Sequence, residues 1–132
     1  ALQPIPAGAS MERRAVNLEE ILDRLGGNVG LLQSVVSLFE EDSPEQMGRI
    51  KDAIRAGDTN AMMTAAHTLK GSLLVLSADR ASSAALELEK LGRQSRLDGA
   101  LEWFAILESE VAAVGDELQK ILKERLSVPM GK

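Results

Sequence analysis

Long segments with apolar residues at helical spacing are the feature that most limits how this chain can fold. The clearest is the stretch 97–126, where apolar residues recur every three or four positions, as on one face of an α-helix. No segment alternates polar and apolar residues as a half-buried strand does, so we expect an all-α fold. The predicted buried stripe of the last helix consists of Leu101, Phe104, Leu107, Val111, Val114, Leu118, Ile121 and Leu122.

Four earlier helices are predicted from the same spacing and from the residues at their ends. Asn17, Asn28 and Asp58 stand where N-caps are expected, and glycines follow the apolar runs. The third helix is expected over about 59–76, and the fourth begins at Ser77 or Asp79 and ends near Gly92. Ser43-Pro44 interrupts the second helix, where we expect a kink or a short break.

Short connections between long amphipathic helices place neighbouring helices antiparallel. The sequence therefore predicts an antiparallel up-down four-helix bundle, with the short first helix as an extra N-terminal element across one end. Residues 1–15, which contain two prolines, are interpreted as a linker or tail. The bundle domain is expected to span 16–126, and 127–132 form a C-terminal tail.

Composition excludes several classes of function. The net charge is −5, so the chain lacks the basic surface that nucleic acid or an anionic membrane requires. No apolar run is long enough to span a bilayer, and there is no cysteine for a disulfide or a thiolate metal site. We expect a cytoplasmic protein without membrane contact.

A single histidine further restricts the chemistry. A carboxylate-bridged metal site needs paired Glu-x-x-His motifs, and none is present. The sequence also lacks a phosphate-binding loop, a dinucleotide fingerprint and a nucleophile elbow. We therefore expect no metal, no cofactor and no binding of ATP by the chain itself.

The histidine lies in the stretch AAHTLKGSLLVLS, where helical spacing separates two faces. Leu69, Leu73 and Leu76 suit the core. Lysine is rarely buried without a partner, and a glycine inside a helix is costly, so the opposite face is expected to be open to solvent. Helix geometry alone does not decide whether the histidine has a packing role or a chemical role. That opposite face holds Met63, His67, Lys70, Gly71, Leu74 and Ala78.

A neutral imidazole is a good nucleophile, and an acceptor on its other ring nitrogen would fix the tautomer. The candidates for that acceptor are Glu87 and Glu89 on the following helix, and the spacing does not choose between them.

AAHTLKGS resembles the signature His-x-Leu-Lys-Gly-Ser/Ala of histidine-containing phosphotransfer (HPt) domains, and LELEKLG resembles their Leu-Glu motif. The resemblance covers about residues 17–122. It implies that His67 is the phosphoacceptor, on Nε2, and that Lys70 lies near the phosphoryl group. It also implies that Gly71 leaves space for a partner and that Glu89 orients the imidazole.

The resemblance also implies the partners. Phosphate would be exchanged with an aspartate of a response-regulator receiver domain, which brings Mg²⁺ and the catalytic residues. A hybrid sensor histidine kinase would stand upstream, and the chain itself would be a monomeric carrier and not a kinase. Met63, Thr64, Leu74 and Ala78 are the predicted docking residues, although Leu74 could instead pack in the core.

The chain departs from the family pattern in LLVLSAD, where Val75 replaces an asparagine and Ser77 a glycine. Two alternatives stay open. One is a regulatory or scaffold bundle that binds a receiver or kinase without transferring phosphate. The intact set of His67, Lys70 and Gly71 argues against it. The other is a phosphoacceptor piece of a larger sensor kinase, although Thr68 stands where such domains usually have an acid.

Overall fold

The computed structural model describes residues 15–126, and five α-helices lie in this part of the chain. No strand occurs in this range, and the all-α prediction is confirmed. The predicted tail at 127–132 and all but the last residue of the predicted linker lie outside it. In chain order the helices are α1 (Leu18–Arg24), α2 (Val29–Ala56), α3 (Thr59–Val75), α4 (Asp79–Arg93) and α5 (Ala100–Leu126).

Helices α2 to α5 form a four-helix bundle. Each packs against the next one in the chain, and α2 also packs against α5, which closes the bundle around one apolar core. The short α1 packs on α2, and the Asn17 amide just before it donates to the Ser77 carbonyl between α3 and α4. Fully buried core residues come from all four long helices and include Leu32, Ile50, Met62, Leu69, Leu73, Leu88, Leu107 and Leu118.

Side-chain caps set the starts of three helices. The side-chain oxygens of Asn17, Asn28 and Asp58 each accept a hydrogen bond from the backbone amide three residues on. These predicted caps are confirmed, and they satisfy amides that have no partner within the helix. The cap at Asp58 begins α3 and so sets which residues of that helix share a face.

Of the kink or short break predicted at Ser43-Pro44, the break is wrong, because α2 continues through both residues. Pro44 lies on the exposed side of α2, as does Glu40 one turn earlier. The Glu40 carbonyl, which loses its helical donor at the proline, is therefore on the side where water can solvate it.

The last helix begins at Ala100 and not near residue 97. Gly99 has a φ of +87°, a left-handed conformation that separates the preceding turn from the helix. Ala100 then takes the inward position, so Leu101 is 67% exposed and does not belong to the predicted buried stripe.

Two further boundaries differ from the prediction. Helix α4 ends at Arg93, one residue beyond the predicted end near Gly92, so Gly92 is buried inside the helix. Ala15 is also buried, and its backbone amide donates to the Glu117 carboxylate at 2.9 Å. Ala15 is therefore part of the packed domain rather than the end of a linker.

Candidate functional site

His67 lies near the middle of α3 with its side chain directed to solvent. The side chain is 66% exposed. Leu69 and Leu73, on the other side of the same helix, are fully buried. The predicted division into a core face and an open face is confirmed for the residues within α3, and the imidazole is not a core residue.

Glu89 holds one nitrogen of this exposed ring. Antiparallel packing of α4 on α3 brings Glu89 Oε2 to 3.0 Å from His67 Nδ1, and the glutamate side chain is only 4% exposed. An ionised carboxylate can only accept, so Nδ1 donates the hydrogen bond and Nε2 of the neutral ring carries a free lone pair. Glu87, the other candidate, instead pairs with Lys90 at 3.4 Å.

Two cations complete the contacts of the Glu89 carboxylate. Lys70 Nζ lies 2.7 Å from Oε1, so the two groups form an ion pair. Arg93 Nη2 lies 2.6 Å from Oε2, the same oxygen that His67 contacts. The buried carboxylate therefore has a lysine on one oxygen and an arginine and a histidine on the other.

These contacts decide the ionisation of Glu89. Burial acts to raise the pKa of the carboxyl group, but the contacts with Lys70, His67 and Arg93 outweigh burial and hold the pKa below its ordinary value of 4.5. Glu89 is therefore a carboxylate at neutral pH, as the hydrogen bond from His67 Nδ1 requires.

Gly71 lies one turn beyond His67 and leaves the surface open. A Cβ atom added at Gly71 would meet nothing within 4 Å. The space beside the imidazole is therefore open to solvent, where another molecule can approach.

Gly92 has the opposite surroundings. A Cβ atom there would lie 2.6 Å from Met63 Cβ and 2.6 Å from the Thr59 carbonyl oxygen. Glycine thus permits α3 and α4 to approach closely, one turn from Glu89. This contact helps to set how α4 is turned toward α3, and with it the position of the carboxylate.

The four predicted docking residues are placed differently. Thr64 and Leu74 are exposed, with Leu74 at 50%, so Leu74 does not pack in the core. Met63 is half-buried because its Cα and Cβ lie against Gly92. Ala78 is fully buried, and its prediction as a docking residue is wrong.

The reason for the burial of Ala78 is the end of α3. The helix stops at Val75, and Ser77 has a φ of +51°, so the chain turns before Ala78 and no longer follows the helical spacing. Arg24 of α1 supports this turn, donating to the Val75 carbonyl at 2.6 Å and to Ser77 Oγ at 3.1 Å.

Sequence reasoning did not identify Arg93. The available signal was its spacing, because a glutamate and an arginine four residues apart on a helix lie side by side. The predicted end of α4 at Gly92 left Arg93 outside the helix, so the spacing was not applied to it.

Within residues 15–126, no group of three or more histidine, cysteine or acidic side chains is arranged to hold a metal ion. Over the same residues no helix is long and apolar enough to cross a membrane.

Comparison with known proteins agrees with this fold. The family model of the Hpt domain matches residues 34–121, which is more than half of the chain. The fold is similar to the crystal structure of histidine-containing phosphotransfer protein B (HptB) from Pseudomonas aeruginosa PAO1. The TM-score is 0.74 at 22% identity, over 85% of this chain and 97% of that one. No curated protein sequence matches the chain.

The all-α bundle thus has the fold of a histidine-containing phosphotransfer domain. The chain belongs to the Hpt domain family. Membership supports a role in a two-component phosphotransfer relay, where proteins of this family are carriers rather than kinases.

Proposed function

We propose that His67 is the phosphoacceptor of a relay, taking a phosphoryl group on Nε2 and exchanging it with an aspartate of a receiver domain. The observation that carries this proposal is the His67–Glu89 contact at 3.0 Å on an otherwise exposed ring. It directs the proton to Nδ1 and leaves the outward Nε2 with its lone pair, in the arrangement that a nucleophile needs.

The transfer step needs no proton movement. The Nε2 lone pair forms a bond to phosphorus, the bond between phosphorus and the aspartyl oxygen breaks, and the electron pair leaves with the aspartate carboxylate. His67 keeps its Nδ1 proton and becomes a positively charged phosphoimidazole, which Glu89 stabilises through the same hydrogen bond. The reverse reaction returns the phosphoryl group to a receiver.

Other residues of the face support the approach of the partner. Lys70 is 21% exposed, so its ammonium group is near enough to the surface to favour the negative charge of a phosphoryl group. The open space at Gly71 admits the receiver, and Thr64, Leu74 and the accessible part of Met63 are proposed to contact it.

The remaining requirements fall to the partners. We expect the receiver domain to bring Mg²⁺ and its own catalytic residues, and a hybrid sensor kinase to supply the phosphate. The chain would then act as a monomeric carrier in the cytoplasm, without a cofactor or kinase activity of its own.

Transfer from a phosphorylated receiver tests the proposal directly. A panel of receiver domains, each radiolabelled on its aspartate, is mixed with the wild-type chain, with His67→Gln and with Lys90→Gln as a control on α4. We expect label on the wild type and the control and none on His67→Gln. Equal labelling of His67→Gln, or no transfer to the wild type from any receiver, would contradict the assignment.

A further inference from the structure

The orienting group of His67 is a carboxylate, and this choice creates an electrostatic conflict. A negative charge within hydrogen-bond distance of an imidazole favours the protonated ring. A ring protonated on both nitrogens has no lone pair for phosphorus. Glu89 alone would therefore hold His67 in the right orientation while favouring its unreactive form.

Lys70 and Arg93 remove this conflict. Both approach the carboxylate more closely than His67 does, at 2.7 and 2.6 Å against 3.0 Å. Two positive charges thus surround one negative charge, so the ring does not face an uncompensated carboxylate. Arg93 also donates to Oε2, the same oxygen that accepts the hydrogen bond from His67 Nδ1. The guanidinium therefore holds the oxygen that orients the ring.

Each helix of the pair contributes one cation. Lys70 follows His67 by three residues on α3, and Arg93 follows Glu89 by four residues on α4, so both lie beside their partners on the helix surface. Both cations converge on the one carboxylate of Glu89, which is almost completely buried.

Other charges near α3 do not provide this compensation. Glu87 and Lys90 pair with each other, as do Glu45 and Arg49. Arg24 donates to carbonyl oxygens at the end of α3. Two grooves lie between α2 and α3, and the other charged side chains that line them are Asp42, Asp52 and Asp58. His67 lines neither groove.

We propose that Lys70 and Arg93 are paired counter-charges for Glu89, which allow a carboxylate to orient His67 without drawing a second proton onto the ring. Arg93 is then a positioning residue for phosphotransfer, acting through Glu89 and not on the phosphoryl group. This inference rests on the proposed function of His67, and it concerns the form in which the ring is held before transfer.

Phosphoramidate provides a test that needs no receiver. His67 Nε2 attacks its phosphorus, the P–N bond breaks, and the nitrogen leaves as ammonia after taking a proton from water. Phosphorylation rates are measured from pH 6 to 9 for the wild type, Arg93→Gln, Arg93→Lys and Lys90→Gln, and each variant is expressed relative to the wild type at the same pH. This ratio cancels the titration of the reagent.

Arg93→Gln should be slower by about twofold at pH 7, slower still at pH 6, and close to the wild type at pH 9. The modest size follows from the 60% exposure of Arg93, since exposed ion pairs are screened by solvent. Arg93→Lys keeps the charge and should restore most of the rate, and Lys90→Gln should follow the wild type. A loss equal at every pH, or no loss at all, would overturn the proposal.

The double variant Arg93→Gln with Glu89→Gln separates charge from packing. Without the carboxylate, no ion pair holds the Arg93 guanidinium beside the ring, so at pH 6 adding Arg93→Gln to Glu89→Gln should cost less than it does in the wild type. A loss as large as in the wild-type background would show that Arg93 acts by a route other than Glu89.

Nitrogen NMR of the only histidine gives a readout independent of transfer. At pH 7 the ring of Arg93→Gln should contain more imidazolium than the wild type. If no receiver transfers phosphate to the chain while this NMR difference is present, the proposed relay function fails and the counter-charge role stands. If the wild type transfers phosphate and the NMR spectra coincide, the counter-charge role fails alone.

Discussion

Gly71 and Gly92 lie inside the two helices that form the candidate site, yet their surroundings are opposite. The position of a Cβ is open at Gly71 and blocked by α3 at Gly92. Glycine inside a helix costs about 0.5–1 kcal/mol relative to alanine, so both residues need an explanation. The comparison separates two uses of a missing side chain: Gly92 permits close helix packing, and Gly71 permits another molecule to approach.

Substituting Gly92→Ala should have the largest effect on this comparison. The new methyl group would overlap Met63 Cβ and a backbone oxygen at 2.6 Å, so α3 and α4 must separate. Overpacking of this kind costs about 1–3 kcal/mol, which exceeds the gain in helix propensity, and we expect a net loss of about 1–2 kcal/mol. Urea unfolding measures it.

Gly48→Ala is the matched control, because Gly48 lies inside α2 with nothing within 4 Å of an added Cβ. It should be neutral or stabilising by up to about 1 kcal/mol. If Gly92→Ala were as stable as Gly48→Ala, the close approach of α3 and α4 would not depend on glycine.

Gly71→Gln tests the other side of the comparison, and its effect should appear in transfer rather than in folding. The longer side chain finds open space in the free protein but occupies the region beside the imidazole that a partner must enter. We expect unchanged helicity by circular dichroism and transfer from a receiver slowed about tenfold, equivalent to ~1.4 kcal/mol. Equal transfer rates would show that the partner does not use this space.

The residues of one helix were predictable because helical spacing fixes them relative to one another. The exposure of His67 and Gly71, and the burial of Leu69 and Leu73, follow from the cap at Asp58 and the pitch of α3. The same reasoning failed for Ala78, since spacing was extended beyond the residue at which the helix ends.

Contacts between helices were not predictable in the same way. Both Glu87 and Glu89 lie on α4, and which one meets His67 depends on how α4 is turned about its axis. That turn depends on packing at Gly92, which the sequence pattern presents only as a helix end. Helical spacing therefore identified the histidine and its helix, and the family resemblance indicated Glu89, whereas the second cation on the carboxylate needed the structure.

Acid should weaken the fold partly through Glu89. The pKa of Glu89 is below its ordinary value of 4.5 in the folded chain. The contacts of its ionised form therefore stabilise the fold at every pH above that ordinary pKa. The contribution is lost as the pH falls through the lower folded value. Burial opposes the favourable contacts, so this effect should be smaller than that of Gly92→Ala.

Urea unfolding of the wild type and Glu89→Gln between about pH 6 and 3 measures the contribution of Glu89. The free energy of unfolding of the wild type should fall more steeply over this range than that of the variant. Parallel curves would mean that the contacts of Glu89 with the three basic side chains do not stabilise its charged form.

Gly71→Ala should change stability less than Gly92→Ala, and in the opposite direction. A methyl group at position 71 meets no atom, so the variant gains helix propensity of about 0.5–1 kcal/mol without strain, which urea unfolding can measure. If Gly71→Ala stabilises the chain but slows phosphotransfer, the glycine serves the approach of a partner and is not needed for folding. If Gly71→Ala stabilises the chain and transfers phosphate at the wild-type rate, a methyl group is too small to obstruct the partner. The obstruction would then begin with larger side chains such as that of Gly71→Gln.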